Sequence, residues 1–145
     1  MRTIIVEDHL EVAAQLRLSV EELGHPVVGQ ASSFAAAVDL LTTVPGIELA
    51  FIDLCLGDNA DASFGAVLVN LAASREIQVV VTTALSSIPD RLKGAALLVK
   101  PFSSERLASV LASLAPRERR RDDMLSRPRA RPAIDETAVE RLRVR

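Results

Sequence analysis

Four apolar runs in the sequence end on residues that can do chemistry. Thr3-Ile4-Ile5-Val6 leads into Glu7-Asp8, Leu49-Ala50-Phe51-Ile52 into Asp53, Val79-Val80-Val81 into Thr82-Thr83, and Ala95 to Val99 into Lys100-Pro101. A carboxylate in a run as apolar as Leu49 to Leu54 is costly unless it is paired or stands at a solvent-reached strand end. Three carboxylates brought to one place repel each other, and a divalent cation would join them. Mg²⁺ suits that role, because it takes oxygen ligands, few of them from protein, and completes its shell with water. A lysine beside such a group is a compact positive charge for a phosphoryl oxygen, and a hydroxyl donates to another. Carboxylate nucleophile, metal, lysine and hydroxyl together describe phosphoryl transfer to an aspartate.

The chemistry needs elements that bring these run ends together. Thr3 to Val6 is rich in β-branched residues and predicts a short buried strand. From His9 to Leu23, apolar Leu16, Val20 and Leu23 mark one helix face, stopped by Gly24 and Pro26. Val27-Val28 begin a second strand. Phe34, Ala37, Val38 and Leu41 form a helical stripe behind the Ser32-Ser33 cap. Pro45-Gly46 turns the chain into the Asp53 strand, and Gly57-Asp58-Asn59 is loop chemistry. Phe64, Val67, Leu68 and Leu71 repeat the stripe, Ile77 to Val81 predicts a fourth strand, and Ala96 to Val99 a fifth. Between Thr83 and Lys100 there is room only for a short or irregular helix, around Asp90 to Lys93. Leu107, Val110, Leu111 and Leu114 mark the last helix, with Ser103 or Ser104 as cap and Glu105 near its positive end.

Strands alternating with helices at this spacing predict an α/β fold, a doubly wound five-stranded parallel sheet covered on both faces, with a shortened fourth helix. In such sheets functional groups collect at the carboxyl ends of the strands. That rule brings Glu7, Asp8, Asp53, Thr82 or Thr83, and Lys100 to one edge.

With 145 residues, nearly half of them apolar, the chain can bury a real core. No run reaches the roughly 20 apolar residues of a membrane span. The strand pattern starts at Thr3, so no signal peptide is expected, and a single cysteine excludes an intramolecular disulfide. A cytoplasmic protein is the simplest expectation. The net charge of −2 conceals two kinds of chain: residues 1–115 carry 7 Lys/Arg against 13 Asp/Glu, and residues 116–145 carry 10 against 6. The first part is the expected domain. The second has no apolar face through Arg131 and reads as a basic tail, mobile or partner-dependent. It is too short for a helix-turn-helix and has no interleaved aromatics, which argues against nucleic acid as its partner.

Ile4-Ile5-Val6-Glu7-Asp8, Phe51-Ile52-Asp53-Leu54, Val81-Thr82-Thr83-Ala84, Gly94-Ala95 and Lys100-Pro101-Phe102 together resemble the receiver domain of a two-component response regulator, over about residues 2–115. The resemblance implies a flavodoxin-like sheet and assigns roles. Asp53 corresponds to the phosphoacceptor, and Glu7 and Asp8 to the acidic pair that holds Mg²⁺, with Asp53 and the backbone carbonyl of Cys55 as further ligands. Thr83, followed by Ala84, corresponds to the hydroxyl that follows the phosphoryl group, and Lys100 to the lysine that contacts it. The Lys100-Pro101 peptide would be cis.

The sequence also departs from the pattern. Leu97 stands where the switch aromatic usually lies, and no Met-Pro turn follows Asp53. Ile88-Pro89-Asp90-Arg91-Leu92-Lys93-Gly94-Ala95 resembles the receiver subgroup called FAT GUY, found with alphaproteobacterial kinases, although the signature of that subgroup reads Val81-Thr82-Thr83-Ala84-Leu85 here.

What the resemblance implies is a single-domain response regulator. It would take a phosphoryl group onto Asp53 from a sensor histidine kinase, of the HWE or HisKA2 type if the subgroup holds, and act through protein contacts or as a phosphate sink. Its catalysis would be limited to its own phosphorylation and dephosphorylation, and homodimerisation is left open. One alternative is a receiver-like binding module that works without phosphate. A remote one is an aspartyl-phosphate phosphatase of the haloacid-dehalogenase type, which would place Asp-x-Asp at the first strand. Taken singly, Glu7 and Asp8 read as loop acids and Asp53 as a helix cap. His9 reads as a helix-start surface residue rather than a metal ligand, and Cys55 as an inert thiol.

Overall fold

The computed structural model describes residues 1–57, 63–84, 92 and 95–114. In chain order the elements are β1 (Thr3–Val6), α1 (Leu10–Glu22), β2 (Val27–Ala31), α2 (Phe34–Thr43), β3 (Leu49–Asp53), α3 (Ser63–Ser74), β4 (Gln78–Thr83), β5 (Ala96–Val99) and α4 (Ser104–Ser113). The strands form one sheet in the order β2-β1-β3-β4-β5, and every pairing is parallel. This is the doubly wound order with its switch point between β1 and β3, the place where such sheets put their ligands.

Alternation along the strands builds a core on each side. Ile4, Val6, Ala50, Ile52, Val79 and Val81 pack with Ala37 and Leu41 of α2 and Leu68 and Ala72 of α3. Ile5, Leu49, Phe51, Val80 and Leu98 pack with Ala13, Leu16 and Val20 of α1 and Leu107, Val110 and Leu111 of α4. Strands buried on both faces explain why the sequence shows continuous apolar runs and not a polar–apolar alternation.

The local signals act as their chemistry demands. Ser33 caps α2 by accepting from the Ala36 N–H at 3.2 Å, and Ser103 caps α4 by accepting from the Arg106 N–H at 3.1 Å. Gly24, at φ +88°, and Gly46, at φ +73°, take the left-handed backbone that closes α1 and turns the chain toward β3.

Three expectations need correction. The buried face of α1 is Ala13, Leu16 and Val20, one turn earlier than expected, and Leu23 lies beyond the helix, exposed. On α3 the expected stripe of Phe64, Val67, Leu68 and Leu71 is rotated: Gly65, Leu68, Val69 and Ala72 face the sheet, while Phe64 and Val67 are 40% and 51% exposed. The fourth strand continues past Val81 through Thr82 and Thr83. The short helix expected around Asp90 to Lys93 lies outside the described residues, apart from Leu92, which is buried in the first core. So do Asp58 and Asn59 and the basic tail.

Candidate functional site

The register of the sheet carries the run ends to one edge. Val6 pairs with Ile52, Asp53 with Thr82, and Thr83 with Val99, so Glu7, Asp53, the two threonines and Lys100 all emerge at the carboxyl ends of adjacent strands. Backbone bonds hold the strand ends in place. The Glu7 N–H donates to the Ala31 carbonyl at 3.0 Å, the Leu54 N–H to Thr82 at 3.1 Å, and the Lys100 N–H to Thr83 at 2.7 Å. The Lys100-Pro101 peptide is cis, as the family pattern implies.

Lys100 bridges two carboxylates. Its Nζ donates to Glu7 Oε2 at 2.5 Å and to Asp53 Oδ2 at 3.1 Å. Glu7 and Asp53 are 1% and 4% exposed, so neither could keep its charge there without a partner. The other Asp53 oxygen, Oδ1, accepts the Cys55 N–H at 3.0 Å, which fixes the carboxylate's rotation. Asp8 is nearer the solvent; its Oδ2 accepts the Gly57 N–H at 3.0 Å, tying the β1 loop to the β3 loop.

The electrostatics follow from burial and company. Burial pushes the Asp53 carboxyl up, the Glu7 charge pushes it further, and Lys100 with the Cys55 N–H draws it back only in part. Burial by itself would lower the Lys100 ammonium. The hydrogen bond it donates to Glu7 and the charge of Asp53 outweigh it and hold the ammonium above the ordinary lysine value. For Asp8, burial raises the carboxyl, but the Gly57 N–H and the His9 charge outweigh it and leave it below the usual range.

His9 was not expected in this group. Its imidazole is exposed, as a surface residue's should be, yet Nδ1 lies 3.1 Å from Asp8 Oδ1 and 3.3 Å from Glu7 Oε1. The Asp8 charge and hydrogen bond hold it above the usual histidine value. Nothing in the spacing announces this contact. It arises because the β1–α1 turn folds three consecutive side chains toward one point.

The threonines divide between the faces of the sheet. Thr82 is in register with Asp53 and follows Val80, so alternation puts it on the Asp53 face, whereas Thr83 follows Val81 on the other. Both are buried. Leu97 is half-buried against the first core, beside Val81.

One atom each from Glu7, Asp8, His9 and Asp53 can be chosen so that all lie within 4.8 Å of one another. Three carboxylates outnumber the one lysine, which pairs with two of them, and hard oxygen donors predominate. The residues therefore fit a divalent cation such as Mg²⁺.

No family model matches the chain. The phyllosphere-induced regulator PhyR of Methylorubrum extorquens is 34% identical over 115 residues, 75% of this chain and 41% of that protein. The receiver domain of a modulated diguanylate cyclase from Desulfovibrio desulfuricans superposes with a TM-score of 0.62 at 25% identity, covering 76% of this chain and 89% of that one. The chain carries a response-regulator receiver domain. The response regulator PhyR of Brucella abortus, at 23% identity and a TM-score of 0.62, matches over 77% of this chain and 46% of its own. This receiver chain thus spans less than half the length of either PhyR. Among its described residues no helix is long and apolar enough to cross a membrane.

Proposed function

We propose that this receiver accepts a phosphoryl group on Asp53 from the phosphohistidine of a sensor kinase. The observation that carries the proposal is the pairing of Lys100 Nζ with a buried Asp53 whose other oxygen is held by the Cys55 N–H. That carboxylate is paired with a cation, fixed in rotation and placed at the strand end where a donor can reach it. An Asp53 oxygen forms the new bond to phosphorus as the bond from phosphorus to the histidine nitrogen breaks, and the imidazole leaves. Lys100 follows the charge onto the phosphoryl oxygens, and Thr83, which alternation turns from Asp53 but which ends β4 against the Lys100 backbone, is assigned the hydroxyl that reaches round the strand end to donate to one of them. Glu7, Asp8, Asp53 and the Cys55 carbonyl would hold Mg²⁺, which supplies charge to the same oxygens.

The kinase class that the subgroup pattern points to is HWE or HisKA2. With phosphate on Asp53 the receiver would act through protein contacts or by draining phosphoryl groups from its kinase, and the basic tail would be an extension separate from the domain. Incubation with a phosphorylated kinase should label the parent protein and leave Asp53→Ala unlabelled. Equal labelling of the two overturns the proposal. A second reading, a receiver that binds without phosphate, draws on Leu97 in the place of the switch aromatic. Amide NMR with Mg²⁺ and beryllofluoride separates them, since a phosphate-driven receiver shifts and a vestigial one does not.

A further inference from the structure

We propose that His9 is a nitrogen ligand of the metal site and turns its preference from Mg²⁺ toward first-row transition ions, with Mn²⁺ as the reference. The proposal rests on the reading of Glu7, Asp8 and Asp53 as metal ligands, and adds to it a residue with different donor chemistry.

The geometry supports a shared ion rather than a simple contact. Ligands on adjacent corners of an octahedral ion with bonds near 2.1 Å stand about 3 Å apart. His9 Nδ1 is 3.1 Å from Asp8 Oδ1 and 3.3 Å from Glu7 Oε1, so the two edges that run from the nitrogen already have the spacing of adjacent corners of such a shell. Glu7 divides its oxygens: Oε2 takes Lys100, while Oε1 is turned to the His9 side and also accepts the His9 backbone N–H at 3.2 Å. That bond holds the histidine's backbone over the acids.

Among the described residues, the imidazole's polar contacts are those with Asp8 and Glu7. His9 occupies the N-cap position of α1 with extended backbone, but its side chain makes no capping bond, and it is 73% exposed, so core packing does not place it. Its ring is aimed by the turn alone, toward the two oxygens that a cation would bridge.

Donor type then decides the ion. Imidazole suits iron, nickel, copper and zinc best, and Mn²⁺, at the weak end of the first-row series, still accepts a nitrogen beside its oxygens, whereas Mg²⁺ keeps to oxygen and is content with water in that position. Losing His9 should therefore cost a transition ion a bond and leave Mg²⁺ with the water it already holds there.

Calorimetric titration of the full chain with Mn²⁺ and with Mg²⁺ tests this on the parent, His9→Gln and Asp8→Asn. His9→Gln should weaken Mn²⁺ binding roughly tenfold while changing Mg²⁺ less than about twofold, because only the transition ion uses the nitrogen. Electron spin-echo modulation of the Mn²⁺-loaded parent should show a coupled ¹⁴N that His9→Gln removes. A Mn²⁺ to Mg²⁺ ratio unchanged by His9→Gln, or no nitrogen coupling in the parent, overturns the proposal and leaves the acidic metal site standing. If neither ion binds the parent, or if Asp8→Asn binds both as the parent does, the metal site itself fails and this proposal with it.

Discussion

Asp53 is held by opposing forces, and their balance sets how its charge affects the fold. Lys100 and the Cys55 N–H favour the carboxylate, but burial and Glu7 win, and the carboxyl titrates above its ordinary 3.8. An acid whose value is raised on folding holds its proton longer in the native state than in the unfolded chain. Below 3.8 both states are protonated and nothing is lost. As pH rises past that point the unfolded chain ionises first, so stability falls until the native carboxyl has ionised too, and it stays lower from there upward. Asp53→Asn removes the ionisation and keeps the shape. In EDTA at pH 7 the variant should be more stable than the parent and melt at a higher temperature. The advantage should shrink as pH is lowered toward 4. Saturating Mg²⁺ should reverse the order, since an ion that binds only the native parent stabilises it by mass action. Equal melting temperatures in EDTA at pH 7 would show that burial and Glu7 impose no cost on the carboxylate.

Helix α3 shows how the surroundings of the site are built, and where the pattern of residues misleads. A Cβ placed on Gly65 would come within 2.5 Å of the Leu54 Cα and carbonyl oxygen, all backbone, one residue past Asp53. Alanine in place of a helical glycine ordinarily gains about 1 kcal/mol of helix propensity. Here the overlap with main chain outweighs it, and Gly65→Ala should lose roughly 1–3 kcal/mol in urea denaturation and slow labelling of Asp53. Stability at or above the parent's would mean that α3 does not need this close approach. The same approach explains the rotated stripe. From Phe64 to Ala72 every residue but Asn70 is apolar or glycine, so two overlapping stripes are available, and bulk alone selects the wrong one. The small residues face the sheet because the helix lies close against β3, a fact of packing that periodicity does not carry. Strands and helices were legible because their periods differ, and Glu7, Asp53 and Lys100 because each ends an apolar run. His9 was not, since its reach depends on the path of one turn. The division of Thr82 and Thr83 between faces depends on register with β3.

Over the whole chain, the balance of charge changes sign after Ala115. Among the described residues, every buried member of both cores lies between Ile4 and Leu111, and Met1–Leu114 is one compact unit. The two cores cover both faces of one sheet. Residues 116–145 add a net charge of +4 to a part that carries −6. A chain ended after Leu114 should therefore keep a cooperative melt within about 2 °C of the full chain, which for a domain of this size is under roughly 0.5 kcal/mol. It should also label on Asp53 at a similar rate. Any residual difference at low salt should be electrostatic. It should vanish at 1 M salt, where charges are screened within about 3 Å. A loss of more than about 5 °C that persists at 1 M salt would require apolar contact between tail and domain, and would overturn the assignment of the tail as a separate extension.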